Sequence, residues 1–578
     1  MDTVKFWIDD ILTEVPKGTT VLQAARGLGI HIPTLCYLQG VNHSSSCRVC
    51  LVESGPKLIA SCTLVAEEGM RIKTNSPRVR KARKTTVELL LSDHNRECTS
   101  CLRGGTCELQ EVAKQVGVRN VRYVGEKSKT AVDYSSPSIV RDTSKCILCG
   151  RCVEVCSELQ TVGAIGFMNR GFDTTIGPAL GRPIGESVCI NCGQCIMACP
   201  VGAPQERENI SDVWQALSDP HKFVVVQTAP AVRVAIGEEF GMPVGTRATG
   251  RMVAALRRLG FNKVFDTDFA ADLTIMEEGT ELLHRLETGK GLPLMTSCCP
   301  GWVKFVEQFF PEMLDNLSTC KSPHEMEGAM IKSYFAKIMG IDPQQIVVVS
   351  IMPCTAKKFE GQREELSNET LKDVDYVLTT RELARMIKEA GIDFVALRGE
   401  NFDNPFGESS GAGVIFGATG GVAEAALRTV FELVAGHELE TVEFTAVRGL
   451  EGIKETTALL PNGQMIRTAV VHGLENARKL MSMMISGEKQ YEFIEVMACP
   501  GGCVCGGGQP FVDPAIRERI DVKAYRSKAI YDEDEAASIR KSHKNPYIQK
   551  AYQDFLDYPN SPKSHLYLHT HYVARSRF

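Results

Sequence analysis

Residues 146–156, CILCGRCVEVC, and residues 189–199, CINCGQCIMAC, repeat one spacing, C-x2-C-x2-C-x3-C. This repeat constrains folding more tightly than anything else in the chain. Three closely spaced cysteines can hold one cubane, and in bacterial two-cluster runs the fourth cysteine ligates the other cluster. The spacing therefore assigns one [4Fe–4S] cluster to Cys146, Cys149, Cys152 and Cys199. The other falls to Cys189, Cys192, Cys195 and Cys156. Pro200 follows the second copy, whereas Ser157 stands where the first would usually carry proline.

The rest of the cysteine inventory extends the theme. The chain has 578 residues and 22 cysteines, with only 12 histidines and 3 tryptophans. Fifteen of the cysteines precede residue 200, none lies between 200 and 297, and seven follow. The start, MDTVKFWIDD, lacks a basic region followed by an apolar stretch, so no signal peptide is expected. In a large chain of that kind, cysteines are expected as metal ligands in a reducing cytoplasm. A net charge of −5 gives no footing for nucleic acid. No run reaches the roughly 18 apolar residues of a membrane span.

The opening, TVKFWIDDILTEVPKGTTVLQAARGLG, reads as a strand, a turn at Pro16–Gly18, a second strand and a helix. Cys36, Cys47, Cys50 and Cys62 follow. Four cysteines with a close C-x2-C pair fit one cluster, and zinc is the alternative. The setting resembles a plant-type [2Fe–2S] ferredoxin domain, but ten residues separate the first two cysteines where that pattern has four. It is closer to the ferredoxin-like domain of the large iron–sulfur subunit of respiratory complex I. Next, His94, Cys98, Cys101 and Cys107 are spaced H-x3-C-x2-C-x5-C. Alone, this set suits structural zinc as well as iron. One helical turn separates His94 from Cys98, so a shared helix face is expected. In the complex I subunit the same spacing holds a [4Fe–4S] cluster with one histidine ligand. Between these sites the basic stretch RIKTNSPRVRKARKTTVELL reads as a solvated helix after Pro77.

From about residue 210 the texture changes. KFVVVQTAP, NKVFDTDFAADL, QQIVVVSIMPC and GAGVIFGATGG read as short β-branched runs ending in Gly or Pro, between helical patterns such as GRMVAALRRLG and GGVAEAALRTVFELVAG. The expected fold is an α/β catalytic domain with largely parallel sheets, behind N-terminal ferredoxin-like (α+β) iron–sulfur domains. Three motifs fall at expected strand ends: TSCCPGW (296–302), IMPCTAKK (351–358) and EVMACPGGCVCGGGQP (495–510).

Together these motifs resemble those of the [FeFe]-hydrogenases, and the cluster-rich front half is similar to their large, multi-cluster members. The resemblance runs from about residue 3 to the C-terminus. It implies that Cys299, Cys354, Cys499 and Cys503 hold a [4Fe–4S] cubane. It also implies that Cys503 bridges to a two-iron subsite carrying CO, cyanide and a bridging dithiolate, the whole being the H-cluster. Met352, Met497 and Lys357 match positions that line it, and glycines around Cys503 are expected to give it room. Cys298 matches a free thiol that passes protons, onward through Glu278, Ser318 and Glu281 to Arg285 near the surface. On a helix, Glu278, Glu281 and Arg285 share one face. His324, Ala231, Cys320 and Cys505 depart from common family residues. Residues 516–578 resemble a small-subunit segment, read as helix and extended tail, with His565, His569 and His571 expected on the surface.

The implied activity is reversible oxidation of H2. Electrons would pass through one [2Fe–2S] and three accessory [4Fe–4S] clusters to ferredoxin or to diaphorase-like subunits that bind flavin and NAD(P). Maturation proteins would supply the H-cluster. The expected domains are residues 1–78, 79–125, 137–209, 210–515 and 516–578. A non-catalytic electron-transfer protein accounts for the front half alone, and an iron–sulfur scaffold protein should lack both that front half and Cys298.

Overall fold

The computed structural model describes residues 2–368, 371–438 and 444–577. The chain forms two compact units. One comprises Met1–Leu159, Gly163–Ser187 and Gln194–Gln205, and the other Gln160–Val162, Val188–Gly193 and Glu206–Phe578. Among the described residues no helix is long and apolar enough to cross a membrane.

The first unit opens with the hairpin Thr3–Ile8 and Ile11–Pro16, registered Ile8 to Ile11. Its turn lies at Asp9 and Asp10, both with positive φ; the expected turn at Pro16–Gly18 is also present, with Thr19 N–H donating to Pro16 O at 3.1 Å, but it follows the second strand instead of joining the two. Thr74 N–H donates to Asp9 Oδ1 at 2.7 Å, so a distant partner fixes the turn. The helix Val21–Gly27 follows, closed by a capping box between Thr20 and Gln23. The basic stretch forms the helix Pro77–Asp93, capped by Ser76. Arg83 is buried and donates to Leu51 O, while Arg78, Arg80 and Lys81 are exposed as expected. Cys36, Cys47, Cys107, Cys149 and Cys199 share one buried core with Leu35, Val49, Val87 and Ile147.

The second unit contains two four-stranded sheets. In the first, Lys263–Asp266, Phe223–Thr228, Ile346–Met352 and Tyr376–Thr379 run parallel throughout. Every residue of Ile346–Met352 is buried, which explains its unbroken apolar run. In the second, Leu294–Met295, Phe493–Met497 and Met465–His472 are parallel, and Ile453–Leu459 adds an antiparallel edge. GAGVIFGATGG is not a strand. Gly411–Val414 is helical and Ile415–Gly417 is a 3₁₀ turn. The reason is local crowding: a Cβ on Gly413 would sit 2.5 Å from Asp268 O, and one on Gly421 1.8 Å from Ile415 O. A short buried apolar run carries no period that separates the two states.

The segment 516–578 is no loose tail. It contributes the helices Val522–Ala536, Pro546–Ala551 and Pro562–Leu568. Asp534 is buried between Arg428 and Arg540, and Asn545 Nδ2 donates to Asp272 Oδ2 at 3.0 Å. His565 and His571 are exposed as expected, but His569 is buried.

Candidate active site and cluster sites

The three hydrogenase-like motifs sit at the carboxyl ends of parallel strands. Cys298 and Cys299 follow Leu294–Met295, Cys354 follows Ile346–Met352, and Cys499 follows Phe493–Met497. Met352 and Met497 are the last residues of their strands, and both are buried. Cys299 caps the helix Pro300–Phe309, and Ala498 N–H points at its sulfur from 3.5 Å. Backbone N–H groups of Ala356 and Lys357, at the start of the helix Ala356–Glu360, point at Cys354. Helix N-termini favour thiolates in this way.

Burial raises all four ligand candidates, Cys299, Cys354, Cys499 and Cys503, above an ordinary thiol, and the charge of neighbouring cysteines adds to it at Cys354, Cys499 and Cys503, with Cys354 pushed up to about 12. Four thiolates so close in a dry setting need a cation among them. The donor set therefore fits a metal cluster.

The glycines around Cys503 are required by close packing of the protein itself. A Cβ on Gly502 would lie 2.6 Å from Thr419 N, on Gly506 2.2 Å from Pro353 O, and on Gly507 2.4 Å from Cys192 O. They admit neighbouring backbone, which brings the Cys503 turn against the strand end that carries Cys354. Arg526, from the 516–578 segment, donates to Val504 O at 2.8 Å and pairs with Glu238. Cys505 is partly buried in this turn, packed against the same core. Gln509 Nε2 donates to Ala231 O, so the alanine at 231 contributes its backbone to the turn's anchoring.

Glu278, Glu281 and Arg285 lie on one largely buried helix, Thr267–Thr288, and Ser318 comes from a separate segment. Burial pushes Glu278 up to about 8, against a hydrogen bond with Ser318. Ser318 Oγ donates to Glu281 Oε2 at 3.0 Å, and Arg285 pairs with Glu281 Oε1 at 2.6 Å. Arg285 also donates to Gly291 O at 2.5 Å and Leu317 O at 2.9 Å. It is 9% exposed, so it is more enclosed than a surface residue. The line Glu278–Ser318–Glu281–Arg285 is continuous. At its inner end Cys298 is raised by burial and then by the charge of Glu278.

Sequence reasoning missed the support for Lys357. Its Nζ donates to Cys298 O at 3.2 Å, Ser322 Oγ at 2.7 Å and Glu360 Oε2 at 2.6 Å. Burial opposes the charge, yet Glu360 holds the ammonium above its ordinary value. His324 Nδ1 lies 2.9 Å from the same Glu360 oxygen. The K-x2-E spacing from Lys357 to Glu360 was the available signal.

In the first unit, the thiol of Cys36 meets those of Cys47 and Cys62, and Cys62 meets Cys50. His94 and Cys98 do not share a helix. The helix stops at Asp93, and His94 is extended. They meet in a loop-lined cavity with Cys101 and Cys107. His94 Nδ1 is buried with no hydrogen-bond partner among the described residues, and burial lowers its pKa, leaving a neutral ring suited to a metal. The two C-x2-C loops of the repeat fold alike. Leu148 N–H points at Cys146 Sγ and Asn191 N–H at Cys189 Sγ, both at 3.4 Å. Leu148 and Asn191 both have positive φ, as do Gly150 and Gly193. Cys149 and Cys152 feel the charge of Cys199, as one shared site requires. Cys156 receives Ala164 N–H at 3.3 Å. Cys189 and Cys192 belong to the second unit, whereas Cys195 and Cys156 belong to the first.

A parallel α/β unit with four converging cysteines, a neighbouring free thiol and a buried acid line defines an iron-dependent redox enzyme. Comparison with known proteins makes this specific. Residues 222–507 match the C-terminal domain of the iron-only hydrogenase large subunit, and 520–575 the iron hydrogenase small subunit. Residues 1–77 match a 2Fe–2S cluster-binding domain, 83–122 the NADH-ubiquinone oxidoreductase-G iron–sulfur region, and 145–203 a 4Fe–4S dicluster domain. The chain is 50% identical to the NADP-reducing hydrogenase subunit HndD of Solidesulfovibrio fructosivorans, covering 100% of both. It is 44% identical to iron hydrogenase 1 of Clostridium pasteurianum, over 98% of this chain and 99% of that one. A solved structure of apo [FeFe]-hydrogenase HydA1 from Chlamydomonas reinhardtii superposes with a TM-score of 0.55 at 45% identity, covering 63% of this chain and 98% of that one. The chain belongs to the [FeFe]-hydrogenases, as a catalytic subunit with iron–sulfur domains in front.

Proposed function

We propose that this chain oxidises H2 reversibly at an H-cluster held by Cys299, Cys354, Cys499 and Cys503, with a two-iron subsite carrying CO, cyanide and a bridging dithiolate. When bound, that group supplies the metal chemistry that splits and forms H2. The protein's own residues do the rest. Cys298 takes or gives the proton at the cluster. Glu278, neutral near pH 7, both donates and accepts. Ser318 hands the proton on to Glu281, and Arg285 holds Glu281 at the outer end. Lys357, fixed by Glu360 and Ser322, offers an ammonium beside Cys298, and Met352 and Met497 enclose the site. The observation that carries this reading is the unbroken buried line from Glu278 to Arg285, ending beside a thiol next to a cluster ligand.

The reading extends to the front half. One [2Fe–2S] cluster is held by Cys36, Cys47, Cys50 and Cys62, and one [4Fe–4S] cluster by His94, Cys98, Cys101 and Cys107. Two further [4Fe–4S] clusters use Cys146, Cys149, Cys152 and Cys199, and Cys189, Cys192, Cys195 and Cys156. The working segments are residues 1–78, 79–125, 137–209, 210–515 and 516–578. Fully matured protein should contain about 20 iron atoms, and a value near 6 would overturn the relay through the front half. The similarity to a protein named as an NADP-reducing hydrogenase subunit favours diaphorase-like partner subunits over soluble ferredoxin. Maturation proteins would install the subsite. A cytoplasmic setting agrees with so many cluster-binding thiols. Copurification of the native protein followed by flavin analysis tests the choice of partner: a flavin-containing complex supports it, and a flavin-free protein reduced by ferredoxin overturns it.

A further inference from the structure

Cys320 has no part in the hydrogen chemistry above, yet it is fully buried beside the relay. One ligand atom each of Glu281, Cys320 and His569 lies within 4.8 Å of the others, and all three residues are buried. Carboxylate, thiol and imidazole are the ligand types that zinc takes.

The backbone places them. Lys321 N–H donates to Leu568 O, and Thr570 N–H donates to Thr319 O, both at 2.8 Å. This antiparallel bridge sets Cys320 directly opposite His569. Opposed residues on one face have Cβ atoms about 4.5–5.5 Å apart. Glu281 reaches the same place from the relay helix, with Thr319 Oγ1 3.3 Å from its Oε2.

The histidine is already dressed as a metal ligand. Its Nε2 lies 3.1 Å from Glu277 Oε2, and Glu277 is held in turn by the Tyr552 hydroxyl at 2.6 Å. A metal-bound histidine typically gives its second ring N–H to a carboxylate in this manner. The other nitrogen, Nδ1, touches only the exchangeable hydroxyl of Thr319, at 2.8 Å. Three carboxylates, Glu277, Glu278 and Glu281, bear on the Cys320 thiol. Zinc's bond lengths put its ligands about 3.3–3.8 Å apart, so side-chain rotation of roughly 1 Å closes the site. The exposed ring of His565 lies against His569, with ring centroids 4.1 Å apart and planes tilted by 36°.

We infer that Glu281, Cys320 and His569 form a binding site for zinc or a similar divalent cation, and that its occupation closes the proton relay at Glu281. The site rests on geometry alone; the closure rests on the relay proposed above.

The test uses matured, cluster-loaded protein exposed to zinc chloride and desalted. Bound zinc is counted by mass spectrometry, and H2 turnover is titrated against zinc. Cys320→Ala and His569→Gln are compared, each against its own zinc-free rate. The expected result is one tightly held zinc, absent from both variants, and a half-inhibiting zinc concentration at least about 10–100-fold higher in them. Infrared bands of the H-cluster should stay in place in the zinc-inhibited protein. Equal zinc binding and equal inhibition in all three proteins would overturn the site. Variant-sensitive zinc binding without inhibition would leave the site standing and overturn the relay through Glu281.

Discussion

In the first unit sulfur is built into the core: Cys36, Cys47, Cys107, Cys149 and Cys199 are buried among leucines and valines, beside a second, mainly apolar cluster of Phe6, Ile8, Val21 and Leu22 that takes in Cys50 and Cys62. In the second unit Val, Ile and Phe fill the core, and Cys298, Cys299, Cys503 and Cys505 pack against it from the side. Around the cysteines the first unit is built of loops and short elements, so metal is expected to fix the shape there. The second has two four-stranded sheets with an apolar core of their own. Its buried charges are also answered by protein, as Arg233 is by Asp266 at 2.6 Å and Asp268 at 3.1 Å. A cluster site can therefore be the cause of a fold or a guest within one.

The sharpest way to break this contrast is to withhold iron. Without metal, the first unit should lose most of its amide protection, because binding free energy is folding free energy when the ligands are the core. The second should keep protection in Phe223–Thr228 and Ile346–Met352. Hydrogen exchange on cluster-free protein decides it, and equal loss in both units would erase the distinction.

Next in size are the adjacent cysteines. Cys299→Ala removes a ligand, and the cubane should fail to assemble. Cys298→Ala removes none, so the infrared signature of the H-cluster should remain while turnover falls by on the order of 10²–10⁴. Near-normal turnover with an intact signature would take the thiol out of the proton line.

Glu278→Gln should cost turnover on a similar scale, and it carries a stability signature too. Burial raises the carboxyl from an ordinary 4.5 to about 8 in the folded protein. A raised folded value means that its favourable contribution is complete below about pH 4.5 and is lost as pH rises through 8. The amide has no charge to bury. The melting temperature of Glu278→Gln, relative to the parent, should therefore climb between pH 5 and 9. A constant difference would mean that Glu278 is not held neutral.

His94→Ala should slow electron delivery to the partner but spare isotope exchange between H2 and water, which needs only the second unit. Loss of exchange in folded, matured variant would contradict the division of labour. The smallest effect is expected from His324→Gln. An amide can still hold Glu360, so Lys357 should stay in place and turnover should change by less than about tenfold. A larger drop would give the imidazole at 324 a role beyond holding Glu360.

Legibility followed the same divide. The close C-x2-C pairs are local in sequence, and the repeat's loops could be read from spacing alone. The strands Phe223–Thr228 and Ile346–Met352 were equally plain, because burial on both faces leaves a continuous apolar run. What was hidden depends on distant partners. The turn at Asp9 and Asp10 is set by Thr74, the helical state of 411–417 by Asp268, and the burial of His569 by Glu277 and the 319–321 bridge. The close backbone contacts of the glycines near Cys503 were also hidden, since their neighbours at Pro353, Thr419 and Cys192 are far away in sequence.

Arg526 carries one consequence of another kind. It clasps the turn that holds Cys503, through Val504 O, and does so from a position that the ribosome reaches after more than nine-tenths of the chain has been made. Until then the turn has its glycines and its cysteines but not its clasp. Order of synthesis thus becomes order of closure, and a protein truncated before residue 526 would keep every cluster ligand while losing the bolt on the last of them.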